Sequence, residues 1–465
     1  MALISEETIK EVRNVGILDL AIALGDNPKK IGTSYQVYCP NPEHSEKTPD
    51  TYIAPAKSVF TCFGGGGCGC KGNDAITYFL WHEFGNEATY NSEKKRYVFP
   101  KTRFPEAIEG IADIMGIDIK YKNGGTKKAT KPKVTPRFVS QEKVEPADAD
   151  TCDRVYRSFL LRCPIRAEHG AEWLNERGYS KDAVLAMGLR SVPDIEQTKK
   201  ILLELKKKGI SFERVPGFTQ KAMPIKMEFD YPEELTEKDG EYQWFWMINA
   251  PKNGYFIPVR DELGRIVRLR VRRDDGHPKY LWFSSQPDQS AEKCTQWHKG
   301  GAPSGAPVNV VLPTTYLKSW KAGTPIERIQ NMGVVIATEG EHKSQISADH
   351  LQVGVVGVPG VGIYQSVLPL LKKWKTKRFY LAYDMDSLKS EKSVSGHNKQ
   401  VFQHLLDFAK MVLHEGIDVR LLTWDVKDGK GLDDLLSGGK YPYEVNLRTK
   451  QKNPLNLSEL KEIAQ

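Results

Sequence analysis

The sequence predicts a multidomain α/β protein: a small cysteine-rich N-terminal unit, a mixed α+β middle and a C-terminal, mostly parallel α/β sheet. Three observations carry this. The chain has 465 residues, and at roughly 150 residues per domain that suggests about three domains. Residues 326–465 alternate short β-rich runs with helical stretches, the pattern of parallel strands joined by crossover helices. Cys39, Cys62, Cys68 and Cys70 cluster near His44, whereas Cys152, Cys163 and Cys294 are scattered.

Composition narrows the function classes. Hydrophobic residues are 40% and charged residues 27% of the chain. That is enough for sizeable cores, and it disfavours a disordered chain or a fibre. No apolar run approaches the roughly 18 residues of a membrane helix. The opening MALISEETIKEVRN lacks the basic and apolar regions of a secretory signal. A cytoplasmic protein without membrane partners is therefore expected. Lys+Arg is 67 against Asp+Glu 59, a net charge of +8, which leans toward an anionic partner.

Residues 1–120 read as one unit. Ile108, Ile111, Ala112 and Met115 recur at helical spacing behind Pro105, a good first-turn residue. Within this unit Cys39 and His44 form one short ligand pair, and Cys62 with Cys68 or Cys70 forms another. Pairs at either end of a hairpin converge on one tetrahedral ion, and thiolate with imidazole suits a closed, structural zinc site. Five candidates compete for four places, so the choice between Cys68 and Cys70 stays open. Residues 121–150, rich in Lys, Pro, Thr and Gly without apolar periodicity, read as a linker.

Residues 151–325 mix helix and strand. The segment 254–273 reads as a hairpin: strand FIPVR, turn Asp261–Gly264, strand RIVRLRVRR. Period two puts Arg268, Arg270 and Arg272 on one face. A row of guanidiniums is costly unless anions or solvent meet it, and the guanidinium fork suits phosphate. An edge strand that uses charge against aggregation explains the row equally well.

In residues 326–440 the acids follow strands. Glu339-Gly340 follows GVVIAT, Asp384-Met385-Asp386 follows FYLAY, and Asp433-Asp434 lies beyond VRLLTW. In a parallel sheet all of these fall at strand C-terminal ends, where open α/β sheets build their sites. Carboxylates gathered there repel unless cations sit between them, which implies Mg²⁺ or Mn²⁺. The run VVGVPGVG after residue 354 reads as packing strand and turn rather than a phosphate loop. Residues 441–465 are left as a C-terminal tail.

These motifs resemble, in order, the bacterial-type (DnaG-like) primases. The N-terminal residues Cys39-Pro40, His44, Glu46-Lys47-Thr48-Pro49, Tyr52-Ile53, Cys62-Phe63-Gly64, Cys68-Gly69, Gly72 and Asp74-Ala75-Ile76 resemble that family's CHC2-type zinc ribbon. The first pair here is spaced Cys-x4-His and the second carries extra glycines. Counted back from Gly72, Cys68 takes the fourth-ligand place. Lys47, Lys57 and Lys71 are implied as template contacts. Leu174, Arg177 and Gly178 resemble a primase helix-and-turn element. Phe256-Ile257-Pro258-Val259-Arg260-Asp261, Gly264-Arg265-Ile266 and Pro278-Lys279-Tyr280 resemble the family's basic core. The resemblance implies Arg260, Arg265, Arg270, Arg272 and Lys279 as nucleic-acid or nucleotide contacts.

The C-terminal pattern resembles the Toprim fold. It implies Glu339, Asp384 and Asp386 as catalytic, magnesium-binding acids, with Asp433 as a supporting acid that Asp434 or Asp425 can replace. Where the family often has an aspartate four residues after the glutamate, this chain has Lys343. Either an acid is missing or the lysine contacts phosphate.

The resemblance thus implies a DNA-directed RNA polymerase of primase type, a nucleotidyltransferase. It would make short RNA primers on single-stranded DNA from nucleoside triphosphates during replication, with a replicative helicase as a partner. The absence of a recognisable helicase-binding segment and the unusual zinc spacing suggest a phage, plasmid or other mobile-element form. A Toprim-type nuclease and a catalytically silent single-strand DNA-binding module are the alternatives.

Overall fold

The computed structural model describes residues 3–31, 34–44, 49–63, 68–91, 96–130, 144–226, 230–285, 297–360, 363–385 and 396–464. Lys47, Cys294 and Asp386 lie outside the described residues. The chain divides into two compact units, Met1–Lys143 and Val144–Gln465.

The first unit opens with α1 (Glu6–Arg13), capped by the Ser5 hydroxyl, which accepts from the Thr8 N–H, and with α2 (Ile17–Leu24). A five-stranded antiparallel sheet follows in chain order: β1 (Lys29–Ile31), β2 (Ser34–Val37), β3 (Thr51–Ala54), β4 (Val59–Cys62) and β5 (Lys71–Gly72). Asp74 then caps α3 (Ala75–Phe84), its carboxylate accepting from the Thr77 N–H at 2.7 Å. The hairpin β6 (Thr89–Asn91) and β7 (Arg96–Val98), helix α4 (Arg103–Met115) and the hairpin β8 (Ile119–Lys120) and β9 (Thr126–Lys127) complete the unit. The helical stripe expected from Ile108 to Met115 is observed: all four residues are buried in α4. They share one core with Ile53, Phe60, Tyr78 and Trp81. Each large apolar side chain fully buried contributes about 1.5–3 kcal/mol, so the unit has support besides any metal.

The second unit opens with α5 (Ala149–Leu160) and α6 (Ala167–Ala171). A single π-helical turn, Glu172–Glu176, leads to α7 (Lys181–Met187), β10 (Arg190–Ser191) and α8 (Ile195–Lys207). Two four-stranded antiparallel sheets follow. One has the order β12 (Thr236–Asp239), β13 (Tyr242–Ile248), β11 (Phe218–Pro224), β17 (His298–Lys299). The other has the order β10, β14 (Gly254–Arg260), β15 (Ile266–Arg273), β16 (Tyr280–Trp282). The hairpin read from the sequence is β14–β15. Gly264, at φ +70°, closes its turn against Trp320.

The third sheet has seven strands in the order β18 (Asn309–Val311), β20 (Gly354–Val358), β19 (Val334–Glu339), β21 (Arg378–Leu381), β22 (Asp418–Thr423), β23 (Tyr443–Asn446), β24 (Lys452–Pro454). Helices α9 (Thr314–Leu317), α10 (Glu341–Leu351), α11 (Val367–Lys373), α12 (Gly396–His414), α13 (Leu432–Ser437) and α14 (Leu457–Ala464) connect or cover it. The pairings β20–β19, β19–β21 and β21–β22 are parallel. The outer pairings β18–β20, β22–β23 and β23–β24 are antiparallel. The sheet is therefore mixed, with a parallel centre, rather than mostly parallel.

Three expected boundaries differ from the structure. Strand β18 comes from the middle segment yet belongs to the last sheet. Trp173, Tyr255 and Ile257 share a core with Val335, Phe379 and Leu381, so no break falls at residue 325. The expected tail supplies β23, β24 and α14, with Leu455 and Leu460 buried. The expected linker is structured at both ends: Tyr121 bridges to Ile4 and β9 follows, while α5 begins at Ala149.

Candidate active site and metal centre

The metal centre of the first unit grows from strand ends. Cys62 closes β4 opposite Thr51, and Cys39 lies just beyond β2. One ligand atom each from Cys39, His44, Cys62 and Cys68 lies within 4.8 Å of all the others. Cys39 Sγ is 3.7 Å from Cys68 Sγ, and Cys62 Sγ is 3.4 Å from His44 Nδ1. A tetrahedral zinc with bonds of about 2.3 Å holds two sulfurs about 3.8 Å apart, so the residues present fit the ion.

Of Cys68 and Cys70, the two alternatives for the fourth place, Cys68 is the one whose sulfur lies in this set. Cys70 is buried behind the knuckle, its N–H 3.5 Å from Cys68 Sγ. Its thiol, in hydrogen-bond contact with the sulfurs of Cys39 and Cys68, draws the Cys68 thiol down to about 5 and that of Cys39 to about 7. Burial pushes Cys70 itself up. Zinc takes the thiolate, and both depressed cysteines belong to the ligand set. Lys57 and Lys71 are exposed.

In the second unit β19 and β21 are neighbours at the centre of the parallel strands, and the chain leaves them toward opposite edges of the sheet. An open α/β sheet leaves a crevice beyond its strand ends at such a point. Glu339 ends β19, and Gly340 turns the chain sharply into α10 at φ +77°, ψ 160°. That region is essentially reserved for glycine. Asp384 follows β21. Its carboxylate accepts from Lys343 of α10 through Oδ1, and Lys430 Nζ is 3.7 Å from Oδ2. Asp433 opens α13, where burial raises its carboxyl above the usual range and the nearby Lys343 ammonium opposes the rise. Its Oδ1 is buried without a hydrogen-bond partner, an acceptor that suits a cation. Asp434 is exposed and accepts from the N–H groups of Lys430 and Gly431, so it braces this loop. Asp425 caps a short 3₁₀ turn. Among the described residues no three acids approach one another at coordinating distance, and the cysteine–histidine knuckle is the one such set.

The arginine row lies as expected on one face of β15, opposite the buried Leu269 and Val271. The anions that meet it are the protein's own. Arg270 Nε is 3.3 Å from Glu341 Oε1, a close charge contact without hydrogen-bond alignment, and its guanidinium lies 4.6 Å from the Trp282 ring centroid. Arg272 donates to Glu172 at 3.1 Å, and Arg268 donates to the Ser304 carbonyl. Arg260, which the resemblance implies as a nucleic-acid or nucleotide contact, lies in the protein interior. It is buried, donates to the Ala186 and Met187 carbonyls, and burial pushes its guanidinium down to about 9. Arg265 pairs with Asp261 and Asp150. Lys279 is exposed.

Sequence reasoning missed a polar chain under this edge. His342, fully enclosed in α10, lies 2.9 Å from Tyr179 Oη through Nδ1 and 2.9 Å from Tyr255 Oη through Nε2. Tyr255 donates onward to Glu172, which also accepts from Arg177. Tyr255 therefore accepts from Nε2–H, and Nδ1 accepts from Tyr179. Burial, with Arg177 and Arg272 nearby, holds His342 well below its ordinary pKa and neutral. Glu341, His342, Ser344 and Gln345 are consecutive or nearly so and all buried in α10. No apolar stripe marks such a helix, so only its position after Glu339-Gly340 could have signalled it.

Comparison with known proteins agrees with part of this reading. Residues 4–127 match the model of the CHC2 zinc finger of the DnaG zinc ribbon. Residues 328–440 match a domain family of unknown function, DUF3854. Curated relatives are DNA primases. That of Listeria monocytogenes is 25% identical over 60% of this chain and 38% of its own. That of Aquifex aeolicus is 25% identical over 80% of this chain and 57% of its own. That of Pasteurella multocida is 34% identical over 58% of this chain and 37% of its own. The chain thus spans well under half the length of several curated relatives it matches. A solved structure of the zinc-binding and RNA polymerase domains of the Aquifex aeolicus primase aligns over 99% of this chain and 91% of its own, at 19% identity and a TM-score of 0.38. None of the described helices is long and apolar enough to cross a membrane. In its match to the CHC2 zinc finger and to curated DNA primases, this chain is similar to the DnaG-like primases.

Proposed function

We propose that this chain is a primase: it binds single-stranded DNA and joins nucleoside triphosphates into a short RNA primer during replication. The observation that carries the reading is Glu339 and Asp384 at the C-terminal ends of adjacent parallel strands, at the crevice point of the sheet, in a chain that also holds a zinc ribbon. The C-terminal sheet is read as a Toprim-type catalytic subdomain. In the reaction a primer 3′-hydroxyl attacks the α-phosphate of the next nucleotide, a P–O bond forms, and pyrophosphate leaves with the electrons of the broken bond.

Glu339 is assigned as the base for the hydroxyl proton, since it ends β19 at the point where the parallel strands leave a crevice beyond their ends. Glu339, Asp384, Asp386 and Asp433 are the acids proposed to hold Mg²⁺ or Mn²⁺. The bound ion would polarise the reacting phosphate and steady the leaving group. The orphaned Oδ1 of Asp433 supports this assignment. Arg270, Arg272, Arg265, Lys279 and Lys343 are proposed contacts to template and triphosphate. Surface ion pairs such as Arg265 with Asp150 are worth little, so they yield readily to phosphate. Arg260 is assigned to positioning: it ties β14 to the end of α7. Zinc in the ribbon is structural, and a replicative helicase is the proposed protein partner.

The test separates chemistry from binding. Glu339→Gln and Asp384→Asn, nearly isosteric changes, are expected to lower primer synthesis at least about 100-fold, with single-stranded DNA affinity held within about twofold, as the loss of one metal acid at unchanged size should leave the Lys and Arg contacts to phosphate intact. Unchanged synthesis in either variant contradicts the reading.

A further inference from the structure

The start of α10 is buried yet polar. Glu341 meets Arg270 Nε of β15 at 3.3 Å, and Ser344 donates to the Gly340 carbonyl at 2.6 Å. Gln345 donates to the Leu312 carbonyl at 3.1 Å. Between them His342 makes the longest tie. Tyr179 Oη donates to its Nδ1 at 2.9 Å, and its Nε2–H donates to Tyr255 Oη at 2.9 Å. Tyr255 donates on to Glu172 at 3.0 Å, a carboxylate held also by Arg177 at 2.9 Å and by Arg272 at 3.1 Å. The next residue along, Lys343, projects about 100° round the helix and donates to the Asp384 carboxylate.

We propose that His342 is a positioning residue for nucleotide joining: its clamp between Tyr179 and Tyr255 sets the rotation of the first turn of α10, and with it the place of the Lys343 ammonium on Asp384. The proposal rests on the primase reading above, which makes Asp384 a catalytic acid. Two observations carry it. Both ring nitrogens are engaged, by hydroxyls from different elements, Tyr179 just before α7 and Tyr255 in β14, so the ring cannot turn or slide without breaking a bond. The far end of the chain is anchored on a carboxylate between two arginines rather than on solvent. A buried polar group that loses its partner is costly, and apolar side chains would fill the same space without that liability. What a satisfied polar network adds over apolar packing is one fixed arrangement.

The test measures primer synthesis by the full zinc-loaded chain on a single-stranded template, well below its melting temperature and over a range of nucleotide concentration. Tyr255→Phe removes one hydroxyl and leaves the ring. It is expected to lower kcat about 10-fold, inside the roughly 100-fold that a misplacement of about 1 Å can cost, with KM for nucleotide held within about twofold. Lys343→Gln is expected to lower kcat as well. Adding Tyr255→Phe to Lys343→Gln is then expected to lower kcat by less than about twofold more, because residues that act through one another are not additive. Tyr179→Phe, which strips the other ring nitrogen, replaces Tyr255→Phe if that variant does not fold. Three results overturn the proposal and leave the primase reading intact: kcat unchanged in the folded tyrosine variant, kcat unchanged in Lys343→Gln, or losses that multiply in the double variant. A wild-type chain that makes no oligomers contradicts the primase reading itself, and the proposal with it.

Discussion

Cys70 illustrates how a side chain near a metal can look like a ligand. Spacing alone could not separate it from Cys68, because both follow a glycine-rich run of sequence; in the structure Cys68 lies beside Cys39 and Cys70 is buried. The expected outcome is direct. Metal analysis should find one zinc per chain in the wild type and in Cys70→Ser, and none in Cys68→Ser. Zinc retained in Cys68→Ser would move the fourth ligand to Cys70.

His342 gives a pH dependence. It is neutral in the fold, with a pKa held well below its ordinary 6.5. The unfolded chain therefore binds the extra proton in mild acid. The stability His342 contributes is complete above pH 6.5 and is lost as pH falls below it. Thermal unfolding between about pH 7.5 and 5 should show a falling Tm, and His342→Gln should flatten that fall. An equal slope in both proteins would exclude His342 as its source. None of this was legible beforehand, because a buried histidine between two tyrosines distant in sequence leaves no periodic trace.

At the scale of elements, the hairpin β14–β15 was readable almost to the residue, since strict alternation and a Asp-to-Gly turn are local signals. What meets its arginines was not readable. Glu172 and Glu341 come from a π-helical turn and from α10, and only tertiary structure brings them to β15. Arg270→Ala should therefore cost stability as well as template affinity. It leaves Glu341, 5% exposed, without its counter-charge, an expected loss of about 1–3 kcal/mol. A denaturant midpoint unchanged by the substitution would contradict that pairing. Gly340 is the other sharp case. Its backbone lies where side chains are not accepted, so Gly340→Ala should lose about 1–3 kcal/mol and displace Glu339, to be read as lower stability together with lower synthesis. The strands themselves were legible from their apolar runs; their parallel or antiparallel pairing at the edges was not, because pairing direction depends on where the chain returns.

At the scale of the whole molecule, the order of motifs was legible and the boundaries were not. Composition marks low-complexity stretches well, but β18 leaves the middle segment to join the last sheet without any change in composition. The C-terminal segment is likewise polar on average, yet Leu455 and Leu460 pack it against the sheet. The zinc ribbon and the sheet edge have separate supports, so removing zinc should disable template use without collapsing the first unit. Its shared apolar core should keep a cooperative melt at lower temperature.

A primase polymerises nucleotides on a single-stranded template, and this is the activity proposed for the chain. The measurement that tests it most directly offers the purified chain mixed-sequence single-stranded DNA, end-labelled, with differently labelled ribonucleotides and Mg²⁺ or Mn²⁺, and resolves both labels on one gel. Short labelled ribonucleotide oligomers and an intact template are expected, with the oligomers lost in the Asp384→Asn variant. Shortened template with no oligomers would contradict it and would assign the same acids to DNA cleavage.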